Sequence, residues 1–196
     1  MDVASARRDH LVETALGLFY RNGFHATGID TILAESGVAK MTLYKYFKSK
    51  DDLILAALEL RDRRWMEWFA GELKRRGKSP QQRLLAVFDV LGEWFAQEEF
   101  RGCMFINAAS EYCGLDQRIG DLAARHKRLV REELQGLAHE AGVKNPAALT
   151  DQLALLVEGA IVMALIEKSP DWAVTAKDAA RTLLKAALPT SAAATK

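Results

Sequence analysis

The chain has 196 residues, enough to bury a substantial core as one or two small domains. A hydrophobic share of 49% and a charged share of 27% are those of a soluble globular protein. The formal net charge of +1 excludes a chain that is basic throughout, so any nucleic-acid surface must be local.

The opening residues 1–10 are polar and lack the apolar stretch of a secretory signal, which points to the cytoplasm. A first helix is expected over about 5–22, burying Leu11, Val12, Ala15, Leu18 and Phe19, ended by Gly23 and followed by an inward Phe24. Thr27 then stands as the cap of helix 2, where its hydroxyl and the nearby amides make a natural phosphate contact. Ile29, Ile32 and Leu33 recur at helical spacing, and so do Leu43, Tyr46 and Phe47. Between the two stripes lies Glu35-Ser36-Gly37-Val38, in which Gly37 can take the positive φ of a tight corner and Val38 can plug the angle. This is a helix-turn-helix layout.

The second of these helices leaves Lys40, Met41, Thr42, Tyr44 and Lys45 facing out. From Ser36 to Lys50 there are four lysines, Lys40, Lys45, Lys48 and Lys50, and no acid. Such a face suits a DNA major groove, with its flanks on phosphate. An ordinary solvated helix face has the same composition, so the residues alone leave both readings open.

Ser49 is expected to cap a long helix 4, about 50–76, with Asp51 and Asp52 placed favourably against its dipole. The second half of that helix interleaves Trp65, Trp68 and Phe69 with Arg61, Arg63, Arg64, Lys74, Arg75 and Arg76, which reads as a core element with a wet back in preference to a second nucleic-acid surface. Pro80 opens helix 5, to about 98, and Gly102 opens a short helix 6 over 103–112. Helix 7 is expected over 117–141 and helix 8 over 147–168. Helix 8 is apolar nearly all round and needs cover on both sides. Its apolar run, 153–166, is 14 residues interrupted by Glu158, short of the ~20 that span a bilayer. Helix 9, about 173–188, stops at Pro189, and the Ala-rich tail 190–196 is expected to fray. Two terminal helices with more apolar surface than one subunit can hide point to a twofold four-helix interface, and Gly159, Ala160 and Ala164 would let a neighbouring helix approach.

Enzyme chemistry finds little footing. His10, His25, His126 and His139 pair with no Cys or Asp at a ligand spacing, and there is neither a nucleophile elbow nor a phosphate loop, so no metal and no cofactor are expected. A ligand pocket has more support in the large side chains Trp65, Trp68, Phe69, Phe95 and Phe105, although aromatics also simply fill cores. Asn107 and Glu111 stand i, i+4 on one face of helix 6, and Glu158 interrupts helix 8; buried, these groups need partners, which a bound molecule or Arg118, Arg125 or Lys127 could supply. Cys103, at the start of helix 6 and near Arg101, is a candidate reactive thiol with Cys113 as resolving partner, or else a buried small hydrophobe.

The run Thr27, Ile29-Asp30, Ile32-Leu33-Ala34, Ser36-Gly37-Val38, Thr42-Leu43-Tyr44-Lys45-Tyr46-Phe47 and Ser49-Lys50-Asp51-Asp52-Leu53 resembles the DNA-binding domain of the TetR family of transcriptional regulators, over about residues 7–58. Ala39 departs from the usual capping Ser, at a cost of about 1 kcal/mol of local helix stability, and Met41 from a usually small or polar residue. The resemblance implies an all-α protein of about nine helices. Residues 1–49 would form a three-helix helix-turn-helix domain and residues 50–196 a helical effector-binding and dimerisation domain. Its expected partners are a double-stranded DNA operator, a small-molecule effector and a second copy of the chain joined through the two C-terminal helices, with no membrane. Thr27, Lys45, Tyr46 and Lys50 would hold phosphates, while Lys40, Met41, Thr42 and Tyr44 face bases. The activity implied is that of a ligand-released repressor. A cysteine-based sensor of oxidants or electrophiles, and an effector-free structural DNA binder on the same fold, are the alternatives.

Overall fold

A computed structural model describes residues 3–189, and among them there are nine helices and no strand. They are α1 (Val3–Asn22), α2 (Ile29–Ser36), α3 (Lys40–Tyr46), α4 (Lys50–Arg76), α5 (Pro80–Phe95), α6 (Met104–Glu111), α7 (Gln117–Glu140), α8 (Pro146–Glu167) and α9 (Trp172–Ala187). The all-α expectation and the helix count hold. The tail 190–196 lies outside the described residues.

The starts of the helices follow local chemistry. Ser49 Oγ accepts from the Asp52 amide at 3.1 Å. Ser79 and Gln82 form a reciprocal capping box around Pro80, and Asn145 Oδ1 accepts from the Ala148 amide at 3.2 Å. Helix α5 ends earlier than the expected 98, because the chain leaves it at Ala96 through turns closed by Gln97 N to Trp94 O and Phe100 N to Gln97 O.

Packing gathers the described residues into two units. One holds the chain up to Trp65 together with Cys103–Lys127, around Leu11, Phe19, Phe24, Ile32, Leu43, Leu58 and Phe105. The other holds Met66–Gly102 and the chain from Arg128 onward, where α5, α8 and α9 pack on one another. Helices α4 and α7 contribute residues to both.

Helix α8 is longer than the apolar run that marks it. At 22 residues it is the one helix among those described that is long and apolar enough to cross a membrane by length and composition. It buries Leu149, Leu153, Val157, Ala160, Ile161 and Ala164 and leaves Leu155, Val162, Leu165 and Ile166 exposed.

Candidate nucleic-acid interface

The corner between α2 and α3 forms as its residues require. Gly37 sits at φ +65 and its amide closes α2 on Leu33 O at 3.0 Å, while the Val38 amide donates to Ser36 Oγ at 3.3 Å. His10 Nε2 lies 3.1 Å from Ser36 O, which ties α1 to the same corner. Helix α3 begins at Ala39 without a side-chain cap, as the missing hydroxyl implies. It is fixed instead by burying Leu43 fully and by Phe47, whose ring lies under the Arg8 guanidinium at 5.3 Å.

With Leu43 and Phe47 turned inward, the opposite face of α3 is left to solvent. Met41 is 87% exposed and Tyr44 47% exposed; Lys40 and Lys45 are exposed and Thr42 and Tyr46 half-buried. Lys40 reaches Asp30 at 3.8 Å, a contact between exposed groups that contributes little. The half-buried Lys50 donates to His25 O at 3.4 Å. Burial lowers its pKa, opposed by Asp51 and Glu111.

One expected role is corrected. Thr27 is not a helix cap: Gly28 holds that position, and Thr27 is 1% exposed, its hydroxyl within reach of Gly23 O at 2.7 Å and Leu18 O at 3.3 Å. It fastens the end of α1, so its side chain does not face a phosphate. The Glu111 carboxylate is likewise engaged within the protein. It accepts from the Phe24 amide at 3.1 Å and the His25 amide at 2.7 Å, holding the turn after α1.

The other expected pocket residues divide between the units. Trp65, Phe105 and Asn107 belong to the first, Trp68, Phe69, Phe95 and Glu158 to the second. Trp65, Phe69, Phe95 and Phe105 are buried and Trp68 is 37% exposed. In the first unit Trp65 and Phe105 surround a buried polar pair that the sequence reading missed. His126 Nδ1 lies 2.7 Å from Asp62 Oδ1, each residue at most 3% exposed, and Arg125 donates to Asp62 Oδ2 at 2.8 Å. The imidazole stacks on Phe105 at 3.8 Å and meets Trp65 edge-on at 5.2 Å. Burial pushes the His126 pKa down to about 4 against the Asp62 hydrogen bond, and Lys127 adds to the depression. The ring is therefore neutral at pH 7, with Nδ1 donating to Asp62 and Nε2 left as an acceptor.

Cys103 is buried and Cys113 exposed. Helix α6 stands between them, and its eight residues rise ~12 Å, beyond the ~7 Å Cα limit of a disulfide. Cys113 cannot resolve Cys103 unless α6 unwinds. Among the described residues no group of three or more His, Cys, Asp or Glu is placed to hold a metal ion.

A short helix set by a glycine corner, with its apolar side docked on α1 and a cationic, aromatic side outward, defines a helix-turn-helix DNA-binding protein. Residues 11–57 match the family described as "Bacterial regulatory proteins, tetR family", and residues 80–180 match "Tetracyclin repressor-like, C-terminal domain". Transcriptional regulator AcuR of Cereibacter sphaeroides is 29% identical over 176 residues, 86% of this chain and 80% of AcuR. HTH-type transcriptional regulator YjdC of Escherichia coli is 23% identical over 179 residues, 91% of this chain and 94% of YjdC. The crystal structure of a TetR-family transcriptional regulator from Streptomyces coelicolor superposes with a TM-score of 0.85 at 28% identity, covering 94% of this chain and 97% of that one. The chain belongs to the TetR family: it is a DNA-binding transcriptional regulator and not an enzyme.

Proposed function

We propose that the protein is a cytoplasmic, homodimeric repressor that a small molecule releases from a pseudo-palindromic operator. Residues 1–49 would read DNA, and residues 50–196 would carry the effector site and the dimer seam. The observation that carries this reading is the outward face of α3, where Lys40, Met41, Tyr44 and Lys45 are exposed while Leu43 and Phe47 anchor the helix from behind. Each α3 would enter a major groove, with the two grooves about 34–36 Å apart or a multiple of it. Lys45, Tyr46 and Lys50 serve phosphates, as do the backbone amides at the start of α2 in place of the Thr27 hydroxyl. Lys40, Met41, Thr42 and Tyr44 face base edges.

The apolar side of α8 supports the dimer. Leu155, Gly159, Val162 and Ile166 recur at i, i+4, i+7 and i+11, all exposed, and nothing lies within 4 Å of a Cβ built on Gly159. For the effector, Trp65 and Phe105 remain candidate contacts, although in this structure both pack on His126. Asn107, in the same unit, remains a candidate contact. Binding shifts the DNA affinity only as far as the effector prefers one conformer.

The test is to select fragments of the source genome with purified protein, then screen compounds for loss of that binding. A shared inverted repeat, protected as two half-sites, supports the reading; retention of fragments with no common site overturns it. Met41→Gln should change which fragments are preferred, and equal loss on every fragment would show that Met41 reads nothing. A second reading, an electrophile sensed by Cys103, has one observation in its favour: Lys127 Nζ lies 3.4 Å from the buried sulfur. Release that is unaltered in Cys103→Ser removes it.

A further inference from the structure

The end of α6 is bound to the DNA-reading helices by contacts that the recognition face does not account for. Glu111 Oε1 and Oε2 accept from the amides of Phe24 and His25, 87 and 86 residues away in sequence. His25 Nε2 lies 2.8 Å from the Glu111 carbonyl oxygen, and the imidazole stacks on Tyr112 at 4.9 Å. Tyr112 Oη donates to Asp51 Oδ1 at 3.1 Å, and Arg118, in the first turn of α7, donates to Asp52 Oδ1 at 2.9 Å. Gly23, at φ +88, comes so near that a Cβ there would lie 3.2 Å from Glu111 Oε1. All of these groups belong to the first packing unit.

The placement of the contacts gives them a role. One set holds the turn that leads from α1 into α2, and the other holds the first turn of α4, so α2 and α3 hang between two fastened points. Both are short, eight and seven residues, and neither could keep its direction alone. We infer that Glu111, with Tyr112 and Arg118, is a positioning group for DNA recognition: it sets the angle at which α3 meets the groove. The inference needs no effector and rests only on DNA binding.

Its sign separates it from simple electrostatics. Glu111 is an acid close to Lys50, so as a charge alone it opposes DNA, and its removal would tighten binding to any duplex. As a positioning group its removal weakens the specific complex. The full chain is tested against a duplex recovered from the genomic selection and an unrelated duplex of the same length. Glu111→Ala is expected to lose ~10-fold on the selected duplex, while the unrelated duplex is bound as tightly as by wild type or slightly more tightly. The Phe24 and His25 amides should exchange hydrogen faster in the same variant. Glu111→Gln, which keeps one acceptor oxygen, should recover part of the loss. Selected-duplex affinity equal to or tighter than wild type overturns the inference, and so does an equal loss on both duplexes. If Glu111→Ala fails to fold, Tyr112→Phe, which changes no charge, decides: about 3-fold loss confined to the selected duplex supports positioning, and unchanged affinity overturns it.

Discussion

Replacing Asp62 and His126 together by neutral amides, Asp62→Asn with His126→Gln, should flatten the acid dependence of stability. The folded protein holds His126 neutral down to about pH 4, while the unfolded chain takes up its proton near the ordinary value of 6.5. A base whose folded pKa is depressed contributes stability above the unfolded value, and that contribution is lost as pH falls from 6.5 through 4. At pH 5 the unfolded state gains about 30-fold from protonation that the folded state resists, or roughly 2 kcal/mol. The full loss, reached below pH 4, is about 3 kcal/mol. Burial is the first cause; Lys127 and Arg61 disfavour the imidazolium as well, while Asp62 favours it. Arg125 donates to the other carboxylate oxygen of Asp62.

The assay is urea unfolding followed by far-UV circular dichroism at pH 7.5 and pH 5.0, at one protein concentration. Other groups also titrate in this range, so the informative quantity is the difference between wild type and double variant. Wild type should lose about 2 kcal/mol more than the variant between the two pH values. Changing both partners avoids stranding one buried charge, which by itself costs about 3–5 kcal/mol and would hide the effect. Equal losses in the two proteins would refute the claim that His126 is held neutral.

Lys45→Ala should weaken binding to every duplex alike and reduce the slope of log affinity against log salt by about 0.9, measured by fluorescence anisotropy; an unchanged slope means that Lys45 touches no phosphate. Leu155→Lys with Ile166→Lys puts two charges on the exposed side of α8 and should give a monomer in sedimentation velocity if that side is the dimer seam. Gly102→Ala forces a side chain at φ +77 and places its Cβ 2.8 Å from Leu165 Cδ2, whereas Gly114→Ala, at φ +76, meets nothing within 4 Å. Both carry the left-handed strain of about 1–2 kcal/mol, and the Gly102 variant should melt only slightly lower, because the atom it meets is the free end of the exposed Leu165 side chain, which can turn aside.

Local signals were the legible ones. Gly37 had to supply a positive φ, Pro80 had to open a helix, and the stripes through Leu43 and Phe47 had to be buried, because each constraint is contained within a few residues. The missed features depend on partners far along the chain. Thr27 has the residue type of a cap, but Gly28 holds that place and the hydroxyl turns to carbonyls at the end of α1. The i, i+4 pair Asn107 and Glu111 suggested an inward polar face, yet nothing in the sequence shows that the carboxylate meets amides 86 and 87 residues earlier. Asp62 could have been found as an oddity: it lies with Leu58, Trp65 and Phe69 on one buried stripe of α4, as His126 lies with Ile119, Ala123 and Val130 on α7. That the two meet across 64 residues is a fact of the fold.

The weakness of α3 as a helix is what ties recognition to the rest of its unit. Seven residues with no side-chain cap and no acid in the first turn fall well below the ~12–15 that hold a helix in water, so its axis is set by what Leu43 and Phe47 rest against. A capped, longer recognition helix would resist reorientation, and a change elsewhere would reach it only faintly. Here a displacement of the turn after α1, or of the first turn of α4, moves the lysines and Met41 with it. A short helix can read a groove only in the pose its supports impose, and the Glu111, Tyr112 and Arg118 contacts are among those supports.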